Sequence, residues 1–277
     1  MHTSHSVHGH RPDIPDDRTD RPTVSAVIPT LNEAENLRWL LPRLTGVDEI
    51  VIVDGQSTDG SADVARLLRP DAIIISEPPS GKGTAMRTGM AAASSDVIIM
   101  LDADGSMDPA EFECFVALIR RGFDFVKGSR YACGGGSDDL TGLRRAGNRL
   151  LTRLANLLYR TQWSDLCYGF VALRRSAVQR LGLTSTGFEI ETEMCVNAVR
   201  AGLRMAEVAS HESDRRFGAS NLNTFRDGWR VLRTMIRLRF QGPIEAPDPM
   251  TVTRPDPLPT GWSAPALVAA SDHQQAG

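Results

Sequence analysis

Short apolar runs recur along the chain, each closing on polar or acidic residues, with stretches of helical apolar spacing between them. The runs at 24–29, 49–54, 72–75, 97–101, 123–127, a run ending near 173, and 204–209 are too short for helices. They read as strands, and the all-apolar 97–101 run as one buried on both faces. Leu37, Leu40, Leu41 and Leu44 fall at helical spacing after the first run. Further helices are predicted after 61, over 85–93, from Asp108 and Pro109 to about 121, over 141–160, after 187–193 and over 224–240. Strands and helices alternating at this spacing predict an α/β fold with a mainly parallel sheet and right-handed crossovers.

The 97–101 run ends in Asp102-Ala103-Asp104-Gly105. Along a strand, residues i and i+2 share a face, so both carboxylates are expected in the crevice beyond the strand's carboxyl end, where open α/β sheets bind ligands. Two hard oxygen donors on one side suit Mg²⁺ or Mn²⁺, which keep coordination sites for water and phosphate oxygens. The competing reading is a solvated turn, since Asp and Gly are common turn residues. Asp54, also at a strand end, is placed to accept hydrogen bonds from a ribose or base. Ser80-Gly81-Lys82-Gly83-Thr84 opens a helix, where a lysine between glycines can meet a phosphate. It is not a P-loop, because Ser76 and Gly83 stand where that motif needs Gly and Ser or Thr. Thr30 and Glu33 have capping-box spacing. The loop 134–139, rich in glycine, is expected to act as a lid.

Two helices carry unusual charge. Arg144, Arg145, Arg149, Arg153 and Arg160 are the only charged residues of 141–160, whose Leu150, Leu151, Leu154, Leu157 and Leu158 form its apolar side. In 224–240, Phe225, Trp229, Leu232 and Ile236 lie beside a stripe of Arg226, Arg230, Arg233 and Arg237. Such basic amphipathic helices fit an anionic ligand or membrane surface, and equally a leucine core under a solvated basic face.

Composition narrows this picture. With 277 residues, 41% hydrophobic and 23% charged, the chain can build one sizeable core. Its net charge of −3 gives no case for nucleic-acid binding. Cys114, Cys133, Cys167 and Cys195 form no metal or redox spacing and read as reduced thiols of a cytoplasmic protein. No apolar stretch approaches membrane-spanning length, so the expectation is a soluble protein, at most peripheral to a membrane. Residues 1–21, with His2, His5, His8 and His10, read as a disordered arm and 243–277 as a disordered tail, leaving a single domain over 22–242.

The ordered motifs P-T-L-N-E, V-D-G-Q-S-T-D-G-S, G-K-G-T-A, D-A-D-G, G-S-R-Y, D-L-C-Y-G-F, F-E-I-E-T-E and R-R-F-G-A-S-N resemble glycosyltransferase family 2, over about residues 22–242. They are most similar to its dolichol-phosphate (polyprenyl-phosphate) mannosyl- and glucosyltransferase branch. The resemblance implies a Rossmann-like GT-A fold, a nucleotide-diphosphate sugar donor, a divalent metal and inversion at the anomeric carbon. It implies that Pro29, Thr30, Asn32, Glu33 and Asp54 line the base and ribose site, with Lys82 near the donor. Asp102 and Asp104 match the metal carboxylates. Arg130 matches a basic residue meeting an acceptor phosphate, with Arg144 or Arg145 assisting. Glu189 and Glu191 lie near the sugar. Arg215 or Arg216, with Ser220, matches the loop that clamps the diphosphate. Gly55, Ser106 and Asn221 depart from common family residues, so UDP-glucose and GDP-mannose types of donor both stay open.

A phosphomonoester acceptor is largely ionised at neutral pH and needs cationic positioning rather than a base. A hydroxyl acceptor needs a base, for which Asp165 is the first choice. A sugar nucleotidyltransferase would share the sheet and carboxylates, but P-T-L-N-E stands where it carries a glycine-rich loop with arginine. A non-catalytic nucleotide-sugar binder is the other alternative.

Overall fold

The structure, a computed structural model, describes residues 21–219 and 222–242. The arm with its histidines, Ser220, Asn221 and the tail lie outside the described residues. Arg21, which the sequence places in the arm, belongs to the domain, 2.9 Å from Asp48.

All seven predicted strands form one sheet. The strands are β1 (Val24–Thr30), β2 (Glu49–Asp54), β3 (Ile73–Ser76), β4 (Val97–Met100), β5 (Phe125–Ser129), β7 (Val171–Arg174) and β8 (Met205–Ala209). Their order is β3-β2-β1-β4-β7-β5-β8. β1, β2, β3 and β4 pair in parallel, as do β5 and β8, whereas β7 runs antiparallel between β4 and β5. The helices are α1 (Ala34–Leu40), α2 (Ser61–Leu68), α3 (Lys82–Ala92), α4 (Phe112–Arg120), α5 (Gly142–Tyr159), α6 (Arg175–Leu181), α7 (Ile190–Arg200) and α8 (Thr224–Phe240). A second, two-stranded ladder joins β6 (Gly136–Ser137) to β9 (His211–Glu212) in parallel.

The strands divide their side chains between two cores. Ala26, Ile28, Ile50, Ile52, Val97 and Ile99 pack with Leu37 and Leu40 of α1 and Phe112 and Phe115 of α4. Val27, Val51, Val53, Ile98 and Met100 pack on the opposite layer with Met86 of α3, Met194 of α7 and Met235 of α8. Burial on both faces explains why these strands are apolar throughout instead of alternating.

Local expectations shift in four places. No capping box forms. The Thr30 hydroxyl turns back to the Ile28 carbonyl, while Ser61 and Asp59 accept from the Glu33 and Ala34 amides that start α1. Asp108 does cap its turn, accepting from the Ala110 amide, but the first turn, Pro109–Glu111, is a 3₁₀ helix. The glycine loop is anchored through the β6–β9 ladder and an Asp138–His211 contact of 3.0 Å. Finally, α5 buries its leucine stripe only in part: Leu151, Leu154 and Leu158 pack against the second core, whereas Leu150 and Leu157 are 68% and 78% exposed. Its buried face is Asn148, Thr152 and Ala155. These residues serve the irregular segment before β7. Asn148 donates to Asp165 and accepts from the Cys167 amide, and Thr152 accepts from the Leu166 amide. A buried segment without a ladder needs such partners, and side chains of α5 supply them.

Candidate active site

The carboxyl ends of β1, β2 and β4, with α3, α5, α7 and α8, enclose a cleft of about 1100 Å³. Asp102 and Asp104 both line it. They sit beyond β4, which ends at Met100, in a turn whose Gly105 has φ +74°. The turn, rather than strand periodicity, aims both carboxylates into the cleft, with Ala103 buried between them. Asp104 accepts from the Ser106 amide at 3.0 Å. Burial, then the Asp102 charge, raises the Asp104 pKa, with Ser106 and Arg215 partly offsetting this.

Each carboxylate has a cation beside it. Lys82 Nζ lies 2.6 Å from Asp102 Oδ1 and 2.8 Å from Glu191 Oε1. Burial opposes the ammonium, but Asp102 and Glu191 outweigh it and hold the proton on. Arg215 makes two hydrogen bonds to Glu33, at 2.9 and 3.0 Å, and approaches Asp104 at 3.5 Å. Again burial is outweighed, here by Glu33 and Asp104, and the guanidinium pKa rises. Arg216 stacks on the Trp39 ring at 4.3 Å, and its amide donates to the Asp104 carbonyl. The 213–218 segment therefore lies across the carboxylate turn.

Among the described residues no group of three or more His, Cys, Asp or Glu side chains is placed to hold a metal by itself. Two carboxylates aimed into one cleft, the charge of Asp104 disfavoured by its neighbour, nevertheless fit a hard dication that completes its shell with water and ligand oxygens. Asp102 and Asp104 would hold it.

Lys82 is positioned by close packing rather than by a flexible turn. Gly81 has φ +106°, and a Cβ there would fall 2.4 Å from the Thr186 carbonyl oxygen. A Cβ on Gly83 would fall 2.6 Å from the Ser185 carbonyl oxygen. The backbones of 81–83 and 185–187 touch directly, and the Gly83 amide donates to Thr186.

Of the other predicted residues, Pro29, Thr30, Glu33, Lys82, Arg130, Arg144, Glu191 and Arg215 line the cleft. Asp54 is buried beside it, accepts from the Ser57 amide through Oδ2 and keeps Oδ1 without a protein partner. Glu189 is buried, bonded to Arg230 at 2.8 Å, with Oε2 likewise free. Asn32 faces away and accepts from the Thr58 amide. Arg145 lines a separate hollow with Tyr131 and Arg149.

The acceptor-side assignments need correction. Arg130 is not a free phosphate contact. Its guanidinium donates to both oxygens of Asp165, to Glu212 and to the Cys167 carbonyl. Asp165 is wholly buried, so it is removed as a base reaching a cleft-bound substrate. Burial opposes its charge, but Arg130, Lys127 and Asn148 outweigh this and hold the carboxyl below its ordinary range. Sequence reading missed Glu212, which binds Arg130 at 3.1 Å. It also missed that Phe225, Trp229 and Arg230 of α8 line the cleft. The α8 stripe was visible, but not the direction in which it points.

Known proteins agree with this architecture. Glycosyltransferase AglJ of Haloferax volcanii is 31% identical over 223 residues, covering 78% of this chain and 73% of that protein. An uncharacterised glycosyltransferase of Mycobacterium tuberculosis is 30% identical over 217 residues, covering 76% and 97%. In fold, the chain is similar to glucosyl-3-phosphoglycerate synthase of Mycobacterium tuberculosis, solved with Mn²⁺, uridine-diphosphate-glucose and phosphoglyceric acid. The TM-score is 0.59 at 22% identity, covering 79% of this chain and 80% of the synthase. The family model for Glycosyl transferase family 2 matches residues 25–182, more than half of the chain, and the chain belongs to that family as a glycosyltransferase.

Proposed function

We propose that this enzyme moves a hexose from a nucleotide-diphosphate sugar to a polyprenyl phosphate, with inversion and with Mg²⁺ or Mn²⁺ at Asp102 and Asp104. The observation that carries the acceptor is the shape of the cleft. From the carboxylate turn it continues between α5 and α8 along Leu143, Leu150, Leu151, Phe225, Trp229 and Leu232. Several of these are strongly exposed, Trp229 at 66% and Phe225 at 78%. An apolar groove opening from a charged centre suits a ligand with a phosphate head and a hydrocarbon tail. The arginines flanking both helices favour peripheral contact with an anionic membrane. No helix among the described residues is long and apolar enough to cross one.

A dication held by Asp102 and Asp104 would supply charge stabilisation for a departing diphosphate. Arg215, poised on Glu33 beside Asp104, is a protein cation at the carboxylate turn that would bind this charge electrostatically. Asp54 Oδ1 and Glu189 Oε2, buried acceptors without protein partners, suit donor N–H or hydroxyl groups. Arg144, which lines the cleft and pairs with the partly exposed Asp139 at 2.9 Å, is better placed than Arg130 to meet the acceptor phosphate, because Arg130 is held in buried ion pairs; Arg145 lies in the neighbouring hollow. The loss of Asp165 as a base also favours an acceptor that arrives ionised.

A second reading is a soluble phosphorylated acceptor, favoured by the phosphoglyceric acid bound in the synthase of similar fold. Incubating the protein with UDP-glucose or GDP-mannose and either polyprenyl phosphate, phosphoglycerate or the unphosphorylated prenol, with and without metal, separates these. Transfer only to polyprenyl phosphate supports the first reading. Equal transfer to phosphoglycerate supports the second, and transfer to prenol removes the phosphate requirement.

A further inference from the structure

The chain has 31 lysines and arginines, and only two of them are lysines, Lys82 and Lys127. Lys127 is wholly buried and donates to the Tyr168 carbonyl. The Lys82 side chain is 11% exposed and reaches into the catalytic cleft. Its Nζ lies 2.6 Å from Oδ1 and 2.9 Å from Oδ2 of Asp102. An ammonium straddling both oxygens of a carboxylate takes the position from which a dication would bind it. A lysine can do this because its charge is a compact point on a flexible stem, whereas a guanidinium is a planar fork. Glu191 on α7 offers the same ammonium a second partner at 2.8 Å.

We propose that Lys82 is a built-in counter-ion that competes with the divalent metal for Asp102, so that metal binds tightly only together with the nucleoside diphosphate. This rests on Asp102 being a metal ligand of the donor site. A dication and an ammonium cannot share one carboxylate at these distances without strong repulsion. The ammonium must withdraw toward Glu191, and metal alone leaves it no new anion. A diphosphate arriving with the metal supplies one. Metal and donor then load as a coupled unit, and by linkage each tightens the other.

The test is Mn²⁺ binding to the full chain, followed by electron paramagnetic resonance of free Mn²⁺, with and without UDP or GDP. Wild type should gain at least about tenfold in Mn²⁺ affinity when the nucleoside diphosphate is present. Lys82→Gln, which removes the charge but keeps a hydrogen-bond donor, should bind Mn²⁺ alone at least about tenfold more tightly than wild type. It should also lose most of the nucleotide-dependent gain. Equal affinities of wild type and Lys82→Gln for Mn²⁺ alone overturn the proposal while leaving the metal site intact. Undiminished Mn²⁺–nucleotide binding by Asp102→Asn instead overturns the metal assignment itself. Wild type offers an independent readout, because ¹³Cε-lysine labelling gives signals from only two side chains. Mg²⁺ with nucleoside diphosphate should move the Lys82 signal far more than Mg²⁺ alone. A Lys82 signal that ignores both overturns the exchange.

Discussion

Arg130 and Asp165 form a two-point ion pair, Nε to Oδ2 at 2.7 Å and Nη2 to Oδ1 at 3.0 Å, with side chains 6% and 0% exposed. Asn148 of α5 closes on Asp165 at 2.8 Å and Glu212 of β9 on Arg130 at 3.1 Å. The Arg130 guanidinium also stacks on the Tyr168 ring at 4.7 Å. The pair thus ties the end of β5 to the segment entering β7, to α5 and to the β6–β9 ladder. It braces one wall of the cleft.

Arg130→Ala should therefore act first on stability. Leaving Asp165 charged and unpaired in the interior costs about 3–5 kcal/mol, measured by denaturant unfolding. Arg130→Lys should recover only part, because an ammonium cannot make the two-point contact. Normal stability with reduced acceptor affinity would instead return Arg130 to the substrate.

The same pair sets an acid limit. The folded-state pKa of Asp165 lies below its ordinary value, so the stabilisation is fully present above the unfolded pKa of about 3.9. It is lost as pH falls through the folded value. Thermal melts should show a decline beginning near pH 4, and its absence would mean that Asp165 titrates alike in both states.

Asp102→Asn and Asp104→Asn should each lower transfer at least about a hundredfold. Asp104→Asn should leave the stability of the metal-free protein nearly unchanged, since burial and the Asp102 charge already disfavour charge at Asp104, whereas Asp102→Asn takes from the mostly buried Lys82 one of its two carboxylate partners and should cost about 1–3 kcal/mol. Assaying nucleotide release beside melting temperature checks both halves. Full turnover of wild type after exhaustive chelation would exclude the metal.

Gly83→Ala should cost about 1–3 kcal/mol and weaken nucleotide-sugar binding. Its Cβ would sit 2.6 Å from the Ser185 carbonyl oxygen, and backbone must yield, carrying Lys82 off Asp102 and Glu191. Calorimetric donor binding equal to wild type would show that 185–187 moves without consequence for the site.

Trp229→Ala and Leu150→Ala should change stability by less than about 0.5 kcal/mol, because these side chains are 66% and 68% exposed. Turnover on long-chain polyprenyl phosphate should fall severalfold, with little change on a short water-soluble prenyl phosphate. Equal effects on both acceptors would detach the α5–α8 groove from the lipid tail.

Strand positions and sheet layers were legible in the sequence because the central apolar runs, β1, β2 and β4, had to be buried on both faces, a requirement local enough to read from composition and length. The carboxylate turn after β4, the G-K-G helix start and the paired arginines before α8 were legible for the same reason, as charged residues placed at element ends. Partnership was not legible. Lys82 meets Glu191, Arg215 meets Glu33 and Arg130 meets Asp165 across 109, 182 and 35 positions of chain, and nothing in local spacing selects among so many arginines and carboxylates. Helix faces were misread for a related reason. Periodicity locates an apolar stripe but cannot say whether a core, a lipid or a polar segment lies opposite. On α5, Asn148 and Thr152 share the inward side with Leu151, Leu154 and Leu158, because the unpaired backbone before β7 needs hydrogen-bond partners as well as apolar cover. The antiparallel course of β7 was decided in the same way, by where the chain re-enters the sheet after α5. The sequence by itself determined which segments form the sheet and where charge gathers; only tertiary packing decided which charges neutralise one another and which remain for substrate.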